Sequence, residues 1–375
     1  MNGSRVGKVG GESGTNLRRT VSLVLSGGIA LGAYEAGAYA GLYGQAGLRP
    51  EWIAASSIGA VNAAIVAGSP ADRQVERLRQ FWDAMASEPL PFMSFWLDLP
   101  GAGPWRQAQN EGSALQALLY GRPGLFRPRL AFGAQAGAQD VPALFDLAPL
   151  RDRLDRSVDF ELLNKGATRL SLCCTDVVSG ERVVFDTARG DRIGAEHILA
   201  SCALMPLFAP VEVDGRLLAD GGLAANTPVD LVLDDDKDCD RLCFVVELFA
   251  QQGSRPHTLA ASANRAGDLA FGNQTRRIVE GCQREHRLRS MIAMLAGHLP
   301  AEVRADAEVA AVLAEGRTGR TTVATIAYRA GLDEAGLFKV FDFSRATLAE
   351  RWRAGEAAMR DAASSFANAA VGCLR

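Results

Sequence analysis

Histidine is scarce in this chain. Among 375 residues there are four, His197, His257, His286 and His298. None stands at a strand end or in a glycine turn, where an imidazole base is usually presented. His197 falls in a helical stretch and His286 in a charged run, and both read as residues of solvated faces. His257, in RPHTL, keeps the chain order of an α/β-hydrolase triad and stands as a rival base. Charge excess is lacking too. The 40 basic and 43 acidic residues leave a net charge of −3, which gives no support for a nucleic-acid partner, since such proteins carry a basic face. Seven cysteines form no paired framework, and Cys239 and Cys243 have no second pair or histidine at zinc-like spacing. Cys173 and Cys174, in RLSLCCTD, read as small core residues. A reducing cytoplasm suits this usage. No run approaches the ~20 apolar residues of a spanning helix. The first nineteen residues, MNGSRVGKVGGESGTNLRR, have no apolar core of a signal peptide and read as a disordered tail. The expectation is a soluble, cytoplasmic protein, at most peripheral to a membrane.

What is present is a core. The chain is 48% hydrophobic and 22% charged, the balance of a globular domain. VSLVLSGG reads as a buried strand closed by two glycines, followed by the Ala-rich helical stretch IALGAYEAGAYAGLYGQ. Strand, turn and helix recur in EWIAASSIGAVNAAIVAG, residues 51–68. Two such units argue for a largely parallel sheet with helices on its faces. Ser69 is placed to cap the next helix, with Pro70 at its first position and Val75, Leu78, Trp82 and Met85 on one core stripe. Residues 89–136 lose periodicity. PLPFMSFWLDLPGAGPW reads either as a loosely packed satellite or as a cover over an apolar site, and the sequence does not decide whether 89–105 form a lid. TRLSLCCTDVV and ERVVFDTA read as strands about a Ser-Gly turn, PVEVDGRLLADGG as a hairpin turning at Asp214-Gly215, and RLCFVVELF as a further buried strand. After about residue 251 charged helices dominate, apart from the strand-like TTVATIAYRA. The organisation expected is a tail over 1–19, a chemical domain over 20–250 and a helical extension over 251–375.

Three short segments carry candidate chemistry. In AASSIG a serine stands between a buried strand and a helix, with Gly59 two residues after Ser57, the layout of a nucleophile elbow. The plain alternative is a serine that caps the helix. A hydroxyl needs a base, and LLADGGLAANTP ends a strand on Asp220 before Gly221 and Gly222, although Asp-Gly also makes ordinary turns. Gly27 and Gly28 end the first strand where a following helix turns its free amides back, a site for an oxyanion. SGGIALG has neither the spacing of a dinucleotide loop nor the Lys-Ser/Thr of a Walker loop.

These pieces, in this order, resemble the patatin-like phospholipase family. The family's glycine-rich segment appears as Gly27-Gly28-Ile29-Ala30-Leu31-Gly32, its elbow as Ala55-Ser56-Ser57-Ile58-Gly59 and its aspartate motif as Asp220-Gly221-Gly222. Tyr34, Gly37, Pro206, Phe208 and Asn226-Thr227-Pro228 match at secondary positions. The resemblance spans roughly 20–250, and the tail is similar to the helical extension of a bacterial subgroup. It implies a three-layer α/β/α sandwich and a Ser57–Asp220 dyad working through an acyl-enzyme. It further implies an oxyanion hole at Gly27, Gly28 and Ile29, a lipid or acyl-ester substrate, and no cofactor or metal. Three residues depart from the pattern: Ile29 replaces the third glycine, Leu31 the usual Arg or Lys, and Ala55 the elbow's first glycine. Loss of the basic residue weakens the case for a phosphate-bearing head group more than the case for ester hydrolysis. A non-catalytic lipid-binding module and an acyltransferase stand as alternatives on the same fold.

Overall fold

A computed structural model describes residues 20–44, 48–87, 104–129, 141–234, 240–253, 255–316, 321–329 and 336–372. The expected tail over 1–19 and nearly all of the aromatic segment 89–105 lie outside these residues. The strands are β1 (Thr20–Leu25), β2 (Trp52–Ser56), β3 (Arg127–Pro128), β4 (Phe145–Asp146), β5 (Arg169–Asp176), β6 (Arg182–Asp186), β7 (Val211–Val213), β8 (Arg216–Asp220), β9 (Arg241–Glu247) and β10 (Thr321–Ala327). The helices are α1 (Gly32–Tyr43), α2 (Ile58–Ala67), α3 (Gln74–Met85), α4 (Pro104–Tyr120), α5 (Ala148–Ser157), α6 (Phe160–Lys165), α7 (Ala195–Ser201), α8 (Gly222–Ala225), α9 (Asp230–Leu233), α10 (Leu259–Ala296), α11 (Ala301–Arg304), α12 (Ala307–Leu313) and α13 (Arg345–Gly372).

The main sheet runs β10-β9-β1-β2-β5-β8-β7, with β6 also paired to β5. The five strands from β10 to β5 are mutually parallel, whereas β6, β7 and β8 join by antiparallel pairing. Both faces are covered, as a parallel sheet requires. Strand alternation sorts the side chains: Leu23, Leu25, Ile53, Ala55, Phe244 and Val246 enter the larger core, while Val24, Trp52, Ala54, Cys243 and Val245 enter a smaller one on the opposite face. Helices α1, α2, α3 and α13 contribute to the larger core, α9 and α10 to the smaller. This is the mixed, mostly parallel sandwich expected, and the chain after β9 is mostly helical. That part is also woven into the fold. β10 extends the sheet beside β9, and α13 packs along α1.

Elements expected from the sequence appear with few exceptions. The hairpin turns at Asp214 and Gly215, with φ 51 and 74. Leu78, Trp82 and Met85 are buried. Ser69 does not cap α3, which begins later, at Gln74, and the Ser69 hydroxyl has no hydrogen-bond partner. Residues 70–73 form a turn of their own before the helix starts. The aperiodic region also holds α4, whose glycine and polar interior hides its register. Cys173 and Cys174 are fully buried.

The contact between α1 and α13 is made by small residues. A Cβ at Gly37 would collide with the Trp352 carbonyl, one at Gly41 with that of Glu356, and one at Gly355 with that of Tyr34. The two helices therefore approach backbone to backbone. Gly37→Ala is expected to lower stability by about 1–3 kcal/mol, because the clash is with main chain that cannot rotate away. Denaturant unfolding, with its slope unchanged, measures this.

Candidate active site

β5 acts as a ruler. β2 pairs with its residues 169–173 and ends with Ser56 opposite Cys173. β6 takes residues 171–175 and so occupies the other edge. β8 pairs with Cys174, Thr175 and Asp176, overlapping β6, and must therefore lie on the same edge as β2. Asp220 sits opposite Cys174. The two strands thus meet end to end at consecutive β5 residues, and Ser57 and Asp220 are delivered to one place. No side chain fits where they abut: a Cβ at Gly221 would strike the Cys173 carbonyl.

Ser57 occupies the turn between β2 and α2 with φ 54 and ψ −127, a backbone region that non-glycine residues rarely adopt. Its side chain makes no capping bond to α2, so the plain capping role is not what holds it. Its N–H donates to Ser201 Oγ at 2.9 Å, and Ser201 Oγ donates in turn to the Cys173 carbonyl at 2.7 Å. Gly59 lets α2 approach β1, since a Cβ there would lie 2.8 Å from the Leu25 and Ser26 carbonyl oxygens. Ala55, where the resemblance has glycine, is a fully buried strand residue and leaves the elbow intact.

Beside Ser57 runs the turn Gly27-Gly28-Ile29. A Cβ on Gly27 would lie 2.9 Å from Ser57 Cβ. Asn226 clasps Gly27 from both sides: its carbonyl accepts the Gly27 N–H at 3.2 Å and its Nδ2 donates to the Gly27 carbonyl at 3.3 Å. The Gly27 amide is therefore already engaged. The amides of Gly28 and Ile29 have no acceptor among the described residues, and both residues line the cavity. Ile29 keeps φ 50, a left-handed conformation that costs a β-branched residue on the order of 1–2 kcal/mol. Behind the turn, Glu35 of α1 is fully buried. It accepts from the Ser26 N–H at 2.6 Å and from Asn62 Nδ2 at 3.2 Å. Asn62 also donates to the Gly32 carbonyl at 2.9 Å and accepts from Trp82 Nε1 at 3.0 Å. Burial raises the Glu35 carboxyl well above its ordinary range, against the opposing hydrogen bonds from Ser26 and Asn62.

Asp220 is 2% exposed. Its Oδ1 accepts the Gly222 N–H at 2.6 Å. The Ser57 hydroxyl is near enough to favour the ionised carboxylate, yet no hydrogen bond of full directional geometry joins them, and Oδ2 has no partner. Burial dominates and raises the Asp220 carboxyl to about 7, with the Ser57 and Gly222 contacts pulling the other way. The carboxylate is thus poised to take a proton near neutrality.

Ser57 and Asp220 open into a cavity of about 190 Å³. Its walls are largely apolar, with Ile29, Leu204, Leu207, Phe208, Phe249 and Phe271 among them. The far wall comes from the C-terminal part of the chain: Asn264 and Gly267 of α10, and Lys339 and Val340 of the 3-10 segment Gly336–Phe341. Lys339 is 5% exposed and its Nζ lies 2.7 Å from Asp268 Oδ1. Sequence reasoning missed Ser201, Asn226's clasp and Lys339. Asn-Thr-Pro was visible as a motif match; nothing marks Ser201 or Lys339 without the fold. His257 is exposed and does not line this cavity. His197 is corrected from a solvated face to a buried position at 7% exposure, where Nδ1 accepts the Gly194 N–H at 3.0 Å and caps α7. His286 is exposed.

Two predictions follow from these contacts. Ser201→Ala leaves the buried Ser57 N–H and the Cys173 carbonyl without their partner and should cost about 1–3 kcal/mol in equilibrium unfolding. The Asp220 carboxyl titrates at about 7 in the folded protein against 3.8 ordinarily. Between these values the folded state holds a proton that the unfolded chain has released, so this group's contribution to stability falls as pH rises from about 4 to about 7. Asp220→Asn should therefore gain stability relative to the parent on going from pH 4 to pH 8, by up to about 4 kcal/mol. Glu35 and Glu247, also raised by burial, are common to both proteins and cancel. Unfolding at the two pH values reads the difference, and an equal offset at both would refute the assignment.

The comparisons with known proteins bear on the family. A family model described as patatin-like phospholipase matches residues 23–233, and a second, described as patatin phospholipase, matches residues 269–369. No curated protein matches the chain. Among solved structures, VipD from Legionella pneumophila aligns over 92% of this chain and 67% of its own at 15% identity, with a TM-score of 0.39, too low to carry an argument. The first family model covers more than half of the chain, and the chain belongs to the patatin-like phospholipase family, whose members are lipid acyl hydrolases.

Proposed function

We propose that the protein hydrolyses a lipid acyl ester through a Ser57–Asp220 dyad. The observation that carries this reading is the end-to-end meeting of β2 and β8 on β5, which brings a strained serine beside a carboxyl raised to about 7. A base of that strength matches its task at neutral pH.

In the first step Asp220 takes the Ser57 proton while Oγ attacks the ester carbonyl carbon. The carbonyl oxygen becomes an oxyanion, received by the free amides of Gly28 and Ile29. Collapse expels the alcohol, which takes the proton back from Asp220, and leaves the acyl group on Ser57. In the second step Asp220 deprotonates water, which attacks the acyl-enzyme. The resulting oxyanion sits in the same amide cradle, and collapse releases the fatty acid and returns the proton to Ser57. Gly27 frames this cradle without donating to it. Gly32, Gly221 and Gly222 support the close packing around it: Cβ atoms there would meet Ile58, Ser56 and Asp220 respectively. The apolar walls suit an acyl chain.

Leu31, at the position of the family's usual basic residue, is fully buried, so it offers no handle for a phosphate. Among the described residues that line the cavity the cation is Lys339, paired with Asp268. The substrate is accordingly read as a lipid or carboxylic ester whose recognition rests on its acyl chain rather than on a phosphate.

Ser57→Ala and Asp220→Asn should each abolish turnover of a p-nitrophenyl acyl ester while circular dichroism stays unchanged, and a fluorophosphonate probe should label Ser57. In the parent, kcat/KM should rise with pH through about 7 as Asp220 ionises. Full activity in either variant would eliminate the dyad.

A further inference from the structure

α10 is 38 residues long, about 57 Å at 1.5 Å per residue. Its early turns wall the catalytic cavity through Ala263, Asn264, Gly267 and Phe271. Further along it leaves the body of the protein: the six consecutive residues 283–288 are all exposed, so the helix is uncovered on every side there. Leu288, at the end of that run, and Met291, Met294 and Leu295 beyond it are 48–60% exposed. At ~100° per residue these four fall within about 120° of one another. Arg277, Arg284 and Arg287 lie on the same arc, all exposed, and none has an ion-pair partner among the described residues. The arc's acid, Glu280, faces Arg276 at 4.0 Å. Leu269, 39% exposed, continues the arc back to the level of the cavity.

The other side of α10 is different. Arg289 lies about 160° from the centre of the arc and pairs with Glu285 at 2.7 Å and Glu315 at 3.2 Å. Gly316 comes against Ala293, so the chain after α12 returns on that side. The helix is therefore two-faced. One face is apolar with unpaired arginines, and the other is paired and carries the returning chain.

From this distribution we infer that the basic, apolar face of α10 docks on an anionic lipid bilayer. Its leucines and methionines enter the acyl boundary and Arg277, Arg284 and Arg287 meet lipid phosphates. The inference rests on the reading of the substrate as a lipid and adds the surface by which the protein reaches it. Charge decides between a membrane and a second copy of the chain. A two-fold pairing of this face would bring six unpaired arginines into one interface, whereas an anionic leaflet complements them. Three unpaired arginines at about 1 kcal/mol each favour anionic over neutral lipid on the order of a hundredfold.

Flotation of the full chain with vesicles tests this. The protein should partition into phosphatidylcholine–phosphatidylglycerol vesicles about a hundredfold more strongly than into pure phosphatidylcholine, and added salt should weaken the binding. Arg284→Gln with Arg287→Gln should weaken it about thirtyfold. Leu288→Glu with Met291→Glu should weaken it more than about tenfold. Both double variants should keep the parent's circular dichroism and its rate on a soluble short-chain ester. Loss of ester turnover in the parent would strike the hydrolase reading while leaving the flotation result interpretable. Absence of vesicle binding, or equal binding by the variants, would overturn the inference. So would a dimer in sedimentation that Leu288→Glu with Met291→Glu dissolves.

Discussion

The register of β5 is the constraint on which the site depends. A parallel partner covers one edge of this strand as far as Cys173, and an antiparallel partner takes over at Cys174. Because the two partners run toward each other, their terminal residues converge, and what lies at those termini is a serine and an aspartate. A slip of one residue in either pairing would turn its side chains to the opposite face. The buried alternation along β2 and β5 prevents that slip, since Ile53 and Ala55 belong to one core and Trp52 and Ala54 to the other.

The site is built from arrangements that are unfavourable alone. Ser57 and Ile29 hold left-handed backbone angles, Glu35 and Asp220 bring carboxyls into the interior, and one Asp220 oxygen is left without a partner. Each is over-determined by its surroundings. Ser201 fixes the Ser57 amide, Asn226 fixes Gly27, and Ser26 and Asn62 hold Glu35. A strained elbow and an unsatisfied acid are typical of a site where folding stability is given up for reactivity.

The strands and the first helices were legible because their patterns are local. Glycine closes VSLVLSGG, and alternation sorts β1, β2 and β9 between two faces. The meeting of Ser57 and Asp220 was legible only through motif order, since 163 positions separate them and no periodicity connects them. Ser201 and Lys339 were not legible at all. Each acts by arriving from a distant part of the chain, and a serine at a helix end or a lysine in GLFKVF carries no local signal. His197 misled for the related reason that its helix shows polar neighbours while its ring turns inward onto Phe185, at 4.4 Å between ring centroids.

The central position of β1 has a temporal consequence. It is flanked by β2, some thirty residues later, and by β9, about two hundred and twenty residues later. On a ribosome the segment bearing the elbow emerges long before the strand that completes its neighbour, and the lysine wall of the cavity later still. A growing chain therefore spends much of its synthesis with an open sheet edge beside β1 and a cavity that still lacks its far wall.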